Sequence, residues 1–210
     1  MRRFPLVLLA ALALAACDTG TGSTGGGSPT PAPPQTGAGV CQNLSRDAVN
    51  QLNTPPAMSI DVNKTYTARL NTAKGAVTIQ LNPKAAPVTV NNFVCLAQDH
   101  YYDGLTFHRV VPGFVVQGGD PLGNGTGGPA YKLPNETNST PWKAGSLGMA
   151  SSAAGVSGSQ FFIVLADGPN AQSLATSGVY NQFGNVTAGA EVVQKLQVGD
   201  KITSIDIAAQ

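Results

Sequence analysis

The chain has 210 residues and nearly balanced charge, 12 Lys and Arg against 11 Asp and Glu, for a formal +1 at neutral pH. Only 11% of its residues are charged, against roughly a quarter in an average soluble domain. These values exclude a basic nucleic-acid footprint and an acidic tail, and a hydrophobic content of 42% excludes disorder of the whole chain. The length fits one domain of about 150–170 residues with additional segments.

Residues 1–16 read as an export signal. Arg2 and Arg3 give a positive start, and Leu6 to Ala16 is an unbroken apolar run, shorter than the roughly 20 residues a membrane-spanning helix needs. Loss of this leader takes the formal charge from +1 to −1. The run ends Leu14-Ala15-Ala16-Cys17, which resembles a bacterial lipobox. The resemblance implies acylation of Cys17 after cleavage, and so a lipid-anchored, extracytoplasmic protein. An ordinary secretory signal followed by an incidental cysteine is the alternative. From residue 17 to 40 runs the tether: 18 of the 23 residues after Cys17 are Gly, Pro, Ser or Thr. That composition buries no apolar area, and a span on the order of 25 Å is expected for it.

Residues 41–63 form a pre-domain segment without a clear pattern, and the domain proper is expected over 64–210. Tyr66, Ala68 and Leu70 share one strand face; Val77, Ile79 and Leu81 share a face of the returning strand after a turn at Asn71–Gly75. Pro87 to Ala97 has helical spacing, with Pro87 suited to the first turn and Val90, Phe93, Val94 and Ala97 on one face. Cys95 falls on the outer side of that helix, placed to bridge to Cys41; two unrelated free thiols are the alternative. Further strands are expected at Phe107–Val111, Phe114–Gly118, Ser146–Ala150, Gln160–Leu165, Phe183–Val186 and Ile202–Ile207. A second helix is expected at Gly189 to Leu196. Eight short strands hide their edges best by closing into a barrel, which two helices could plug.

Gly123-Asn124-Gly125-Thr126-Gly127-Gly128 satisfies G-x-G-x-x-G, yet Pro121, Pro129 and Pro134 leave no strand before it and no helix after it, so a dinucleotide site is excluded. Gly155-Val156-Ser157-Gly158-Ser159 misses the G-x-S-x-G nucleophile elbow at its fifth residue. The two histidines, His100 and His108, suggest no local metal motif, and CxxC and HExxH spacings are lacking. The expectation is chemistry with no metal and no cofactor.

Phe107-His108-Arg109-Val110-Val111-Pro112-Gly113-Phe114-Val115-Val116-Gln117-Gly118-Gly119-Asp120-Pro121 resembles the signature of cyclophilin-type peptidyl-prolyl isomerases. The resemblance extends over Tyr101–Gly104, Gly125–Lys132, Gly158–Ile163 and Phe183-Gly184, and so over residues 66–207. It implies a mostly β fold, a closed eight-stranded antiparallel cyclophilin-like barrel capped by two helices. The implied activity is isomerisation of X-Pro bonds in proline-containing peptides and unfolded exported proteins, by a monomer that assists folding.

By position, Arg109 matches the family's catalytic arginine. Phe114, Val115 and Phe162 match walls of the proline pocket, and Gln117 a substrate-contacting glutamine that positions the arginine. Ala150, Ser151 and Gln160 match the stretch beside the bound peptide. Alternation places Gln160 and Phe162 toward a groove and Phe161 and Ile163 inward. Phe114 and Gln117 have opposite parity, so a bend or bulge near Pro112-Gly113 is required between them.

The sequence departs from the family at Ser151, commonly Asn, and most over Leu174–Tyr180. Thr176 takes a usually larger apolar pocket position and Tyr180 one often held by His. Ala175 replaces a Trp found in relatives strongly inhibited by cyclosporin, so weakened cyclosporin binding is expected. These departures keep open a second reading, a proline-peptide binding module or holdase chaperone with incidental turnover. An inert structural lipoprotein would have lost the site residues, which are intact.

Overall fold

The computed structural model describes residues 45–210. The expected leader, Cys17, the tether and Cys41 lie outside these residues.

The described chain starts in helix α1 (Arg46–Asn50), N-capped by Ser45, whose Oγ accepts from Ala48 N at 3.3 Å. Arg46 donates to the carbonyls of Tyr101 and Asp103, and Val49 is buried in the main core. Residues 51–64 then run as an irregular strap across helix α2 (Pro87–Gln98). One side chain fastens it: Asn91 Oδ1 accepts from Ser59 N, Ser59 Oγ and Ile60 N, and its Nδ2 donates to the carbonyls of Pro56 and Ala57.

Strands β1 (Tyr66–Thr72) and β2 (Gly75–Leu81) form the expected hairpin. Its tight turn uses the positive φ of Gly75, +130°, a region closed to most L-residues. Ala68, Leu70, Val77 and Ile79 are fully buried, as the alternation predicts. Helix α2 has Pro87 in its first turn and no side-chain cap from Ala86. The free N–H groups of Val88 and Thr89 instead donate to Glu136 (2.9 and 2.8 Å), and Thr89 Oγ1 does so at 2.7 Å. A carboxylate at a helix N-terminus satisfies orphan donors and complements the helix dipole. Phe93 on this helix sits amid Tyr102, Phe161 and Phe183, with ring centroids 5.2–5.6 Å away.

The remaining elements are β3 (Arg109–Val111), β4 (Val115–Gly118), β5 (Lys132–Leu133), β6 (Ser146–Ser152), β7 (Gly155–Val164), α3 (Pro169–Ser177), β8 (Gln182–Ala188), α4 (Ala190–Val193) and β9 (Ile202–Ala209). The strands pair in the order β3-β4-β7-β6-β8-β2-β1-β9, with β5 on β7, and all pairings are antiparallel. The chain leaves β9 beside the entry to β1, where Thr65 and Gln210 exchange both backbone hydrogen bonds at 2.9 Å.

The expectation of a closed eight-stranded barrel with two helices is corrected. The sheet is open and strongly curled, with nine strands and four helices among the described residues. Its end strands β3 and β9 share no ladder. The seam carries one isolated bridge, Thr106 to Lys201, and backbone bonds such as Phe107 N to Asp200 O (2.9 Å) and Ile202 N to Leu105 O (2.8 Å). The physical reason is local: residues 105–108, expected to begin a strand at Phe107, run irregularly, and β3 starts only at Arg109. The second expected helix, over Gly189 to Leu196, is the single turn α4.

Candidate functional site

β3 and β4 are joined by the three residues Pro112-Gly113-Phe114, with Phe114 N donating to Val111 O at 3.0 Å and Gly113 at φ +70°. This register sets Arg109 opposite Gln117 and Val111 opposite Val115. The next ladder sets Gln117 opposite Phe162, and the one beyond sets Phe162 opposite Gly148. A row Arg109, Gln117, Phe162, Gly148 therefore crosses four strands on one face. The bend that the opposite parity of Phe114 and Gln117 demands is this hairpin turn: Phe114 lies in it, before β4 begins.

Phe161 and Ile163 are fully buried in the main core, whereas Phe162 belongs to a separate cluster with Val115, Trp142, Val164, Ala171 and Leu174. That second cluster lies beneath a cleft of about 290 Å³ lined by Arg109, Phe114, Val115, Gln117, Ala150, Ser151, Phe162, Leu174 and Tyr180. Phe162 stacks on Trp142 (centroids 5.6 Å, planes 18° apart) and meets Tyr180 edge-on at 5.6 Å and 87°. Gly148 is required here. A Cβ at this position would come within 2.5 Å of Trp142 and 2.7 Å of Phe162.

Arg109 is exposed, and its Nη1 donates to Gln117 Oε1 at 3.2 Å. Gln117 Nε2 donates to Gln160 Oε1 at 3.0 Å, and Gln160 Nε2 donates to the carbonyls of Gly125 (3.0 Å) and Gly127 (2.9 Å). An arginine that reaches solvent is thus oriented by a relay of two amides ending on backbone. The glycine loop at the end of the relay is itself held by the buried Asp120 carboxylate, which accepts from the N–H groups of Leu122, Asn124 and Gly125. The G-x-G-x-x-G pattern serves this wrapping: a Cβ on Gly127 would strike Asp120. Gln160 does not line the first cleft. It borders a second one of about 310 Å³, together with Gln117, Gly125, Gly127, Lys132, Ala150 and Ser151.

One expectation is corrected. Thr176 is outside the cleft: it lies in α3, exposed, with its hydroxyl donating to Ser173 O at 3.0 Å. Helix α3 buries Ala171 and Leu174 three residues apart, and Thr176, two residues past Leu174, points elsewhere. Leu174 fills the apolar position instead. Cys95, expected on the outer side of α2, meets the strap on that side. It is 1% exposed and disulfide-bonded, covered by the strap, with Ser59 Oγ 3.5 Å from its Sγ. Its expected partner Cys41 lies outside the described residues, as does Cys17.

Trp142 and Leu174 escaped the sequence reading. Trp142 stands among Pro, Thr and Lys residues with no periodicity, although a lone tryptophan is itself a signal of an aromatic anchor. Pro169 and Gly178 bracket α3 as a first-turn proline and a left-handed terminator, signals present in the sequence. Next to Arg109, His108 has two buried ring nitrogens without partners. Burial chiefly lowers its pKa below the usual histidine value, opposed by the Asp120 carboxylate and aided by Arg109.

A family profile described as cyclophilin type peptidyl-prolyl cis-trans isomerase/CLD matches residues 67–208. A peptidyl-prolyl cis-trans isomerase of Synechococcus elongatus is 48% identical over 142 residues, covering 67% of this chain and 94% of the relative. Peptidyl-prolyl cis-trans isomerase B of Bacillus subtilis is 46% identical over 133 residues, 62% of this chain and 90% of that one. Among solved structures, a cyclophilin type peptidyl-prolyl cis-trans isomerase of Cryptosporidium parvum superposes with a TM-score of 0.58 at 30% identity, over 70% of this chain and 98% of its own. The same protein in the presence of the dipeptide Ala-Pro gives 0.56 at 29%, over 69% and 98%. From its curled sheet to the Arg109 hairpin and these likenesses over nearly the whole length of each relative, the chain belongs to the cyclophilin-type peptidyl-prolyl cis-trans isomerase family.

Proposed function

We propose that this cyclophilin-type peptidyl-prolyl cis-trans isomerase turns X-Pro bonds in exported or surface proteins, assisting their folding from a lipid-anchored position outside the cytoplasm. The observation that carries the site assignment is the Arg109–Gln117 hydrogen bond at the lip of an aromatic-walled cleft.

The barrier to be lowered is amide resonance, about 18–20 kcal/mol. As the C–N bond twists, conjugation is lost and the prolyl nitrogen regains a lone pair that can accept a hydrogen bond. A donor aimed at that nitrogen stabilises the twisted state and not the planar one, which is the condition for acceleration. Arg109 is that donor, because its guanidinium stays protonated and planar and has donors left after Gln117 takes one. A hydrogen bond from a charged group contributes about 1.5–3 kcal/mol, which corresponds to roughly 10- to 100-fold in rate. Phe114, Val115, Phe162, Leu174 and Tyr180 form the apolar seat for the pyrrolidine ring, and Ala150 and Ser151 run beside the peptide backbone. Gripping the ring fixes one side of the rotating bond, so that the acyl side turns against it. No nucleophile is called for.

In the Arg109→Ala variant, turnover of a proline tetrapeptide should fall by at least tenfold with an unchanged thermal transition. Undiminished turnover sinks the role given to Arg109. The anchor rests on the Leu14–Cys17 sequence. Cys17→Ser should move the chain from the membrane to the soluble fraction of its host; retention at the membrane refutes the lipid attachment.

A further inference from the structure

We propose that His108 is a positioning residue for the isomerisation: its uncharged ring lets the glycine loop close against it, whereas a protonated ring draws Asp120 out of that loop and so releases Arg109 from its catalytic orientation. The inference rests on the isomerase reading above and gives that activity an acid limit.

The first support is where the ring sits. His108 ends the irregular run 105–108, one residue before Arg109 opens β3. Its Nδ1 and Nε2 are both buried and have no hydrogen-bond partner among the described residues. Buried polar atoms in folded proteins are nearly all paired, and a neutral imidazole brings one donor and one acceptor. The loop opposite offers neither a partner. Gly125 has φ +90°, and a Cβ there would stand 3.9 Å from His108 Nε2, so what the loop turns toward the ring is a glycine α-carbon.

The second support is that Gly125 joins three parts of the site. Its N–H donates to the Asp120 carboxylate, its carbonyl accepts from Gln160 Nε2 at 3.0 Å, and it faces His108. From Gln160 the relay runs through Gln117 to Arg109 Nη1. A shift of this one glycine therefore reaches the guanidinium through three hydrogen bonds in series.

The third support is charge. Burial most of all keeps the ring uncharged at neutral pH; of the two ionisable groups that face it, Asp120, after β4, favours the cation and Arg109, on β3, opposes it. Once protonated, the ring has two N–H donors and Asp120 is the anion that faces it. That carboxylate already accepts from the N–H groups of Leu122, Asn124 and Gly125. Turned toward an imidazolium, it gives up Gly125, and the loop end of the relay comes loose.

The test follows kcat and KM for a proline tetrapeptide without ionisable side chains, by exchange spectroscopy from pH 8 to pH 5, in the full chain and in His108→Gln. In the unaltered chain kcat should fall roughly tenfold on full protonation, the equivalent of one orienting hydrogen bond. KM should stay constant, and the midpoint should lie below the ordinary histidine value. The ring C–H resonance of His108 should titrate with that same midpoint, and near-ultraviolet circular dichroism should hold its native form across the range. His108→Gln, which has no proton to gain, should show a kcat that does not vary with pH. A flat kcat in the unaltered chain, an equal fall in His108→Gln, or a fall carried by KM overturns the inference and leaves the isomerase reading intact. A fall that tracks the loss of native dichroism overturns it too, and so does a ring midpoint that differs from the kinetic one, a comparison that stands even where His108→Gln does not fold. Absence of turnover at pH 8 ends the isomerase reading itself.

Discussion

Arg109 and Gln117 face each other across a three-residue hairpin, and their 3.2 Å hydrogen bond is the first link of a relay that ends on the carbonyls of Gly125 and Gly127. The glutamines matter through the orientation they give the guanidinium. Gln160→Leu removes the relay's middle acceptor and frees the loop carbonyls. Turnover should fall by roughly tenfold, the equivalent of one hydrogen bond, with the loss in kcat rather than KM. Gln160→Glu, which keeps the acceptor toward Gln117 but loses the donor toward the loop, should be intermediate. A change confined to KM would mean that Gln160 acts by peptide contact instead.

Gly148→Ala should damage the pocket without touching any group that reacts. The added methyl would meet Trp142 and Phe162 inside normal contact distance, and such overpacking typically costs about 1–3 kcal/mol. The stacked pair has to part, moving Phe162 in the cleft wall. The expected signature is a lower unfolding temperature, a shift in Trp142 fluorescence and a raised KM. Unchanged fluorescence with normal KM would show that the pair does not set the pocket's shape.

Asn91 is expected to hold the strap. Asn91→Ala deletes one acceptor used by three donors and one amide donating to two carbonyls. A loss of about 1–2 kcal/mol in urea unfolding is expected, since the buried Asn91 amide bonds to partners that are themselves exposed or half-buried and regain water when it is lost. Proteolysis should then cut first within residues 51–64. Catalysis should persist, because none of these residues lines the Arg109 cleft.

His108 gives the fold a pH dependence of known sign. Its folded-state pKa lies below the ordinary histidine value of 6.5 because burial disfavours the cation. The unfolded chain therefore binds a proton that the folded chain resists, and stability is lost as pH falls through the unfolded value. Above that value the contribution is fully present. Urea midpoints measured between pH 7.5 and 5.5 should decline less in His108→Gln than in the unaltered chain; parallel declines would place the dependence elsewhere.

What could be read from the sequence followed local periodicity. The Val90, Phe93, Val94 and Ala97 stripe marks α2, and the Gln160/Phe162 alternation separates cleft from core because β7 is regular there. The arginine hairpin was readable from its motif. The open seam was not, since whether residues 105–108 pair with β9 depends on a partner almost a hundred positions away. The family resemblance puts Thr176 in the pocket over the stretch where the sequence departs from it most. The segment is a helix, and helical spacing hands the inward position to Leu174. The Asn91 fastening of the strap escaped for a related reason: it is an asparagine binding backbone groups, which no residue pattern in 51–64 announces.

The pairing of β1 with β9 brings Tyr66 against Ala209, so one of the first strands of the domain waits for the last. Ribosomal synthesis delivers β9 after every other strand of the sheet, and a topology dominated by such distant partners folds slowly, on the scale of milliseconds to seconds. The nascent domain therefore stays unfinished while it is being made, and its sheet locks only once the last of these strands is available to pair.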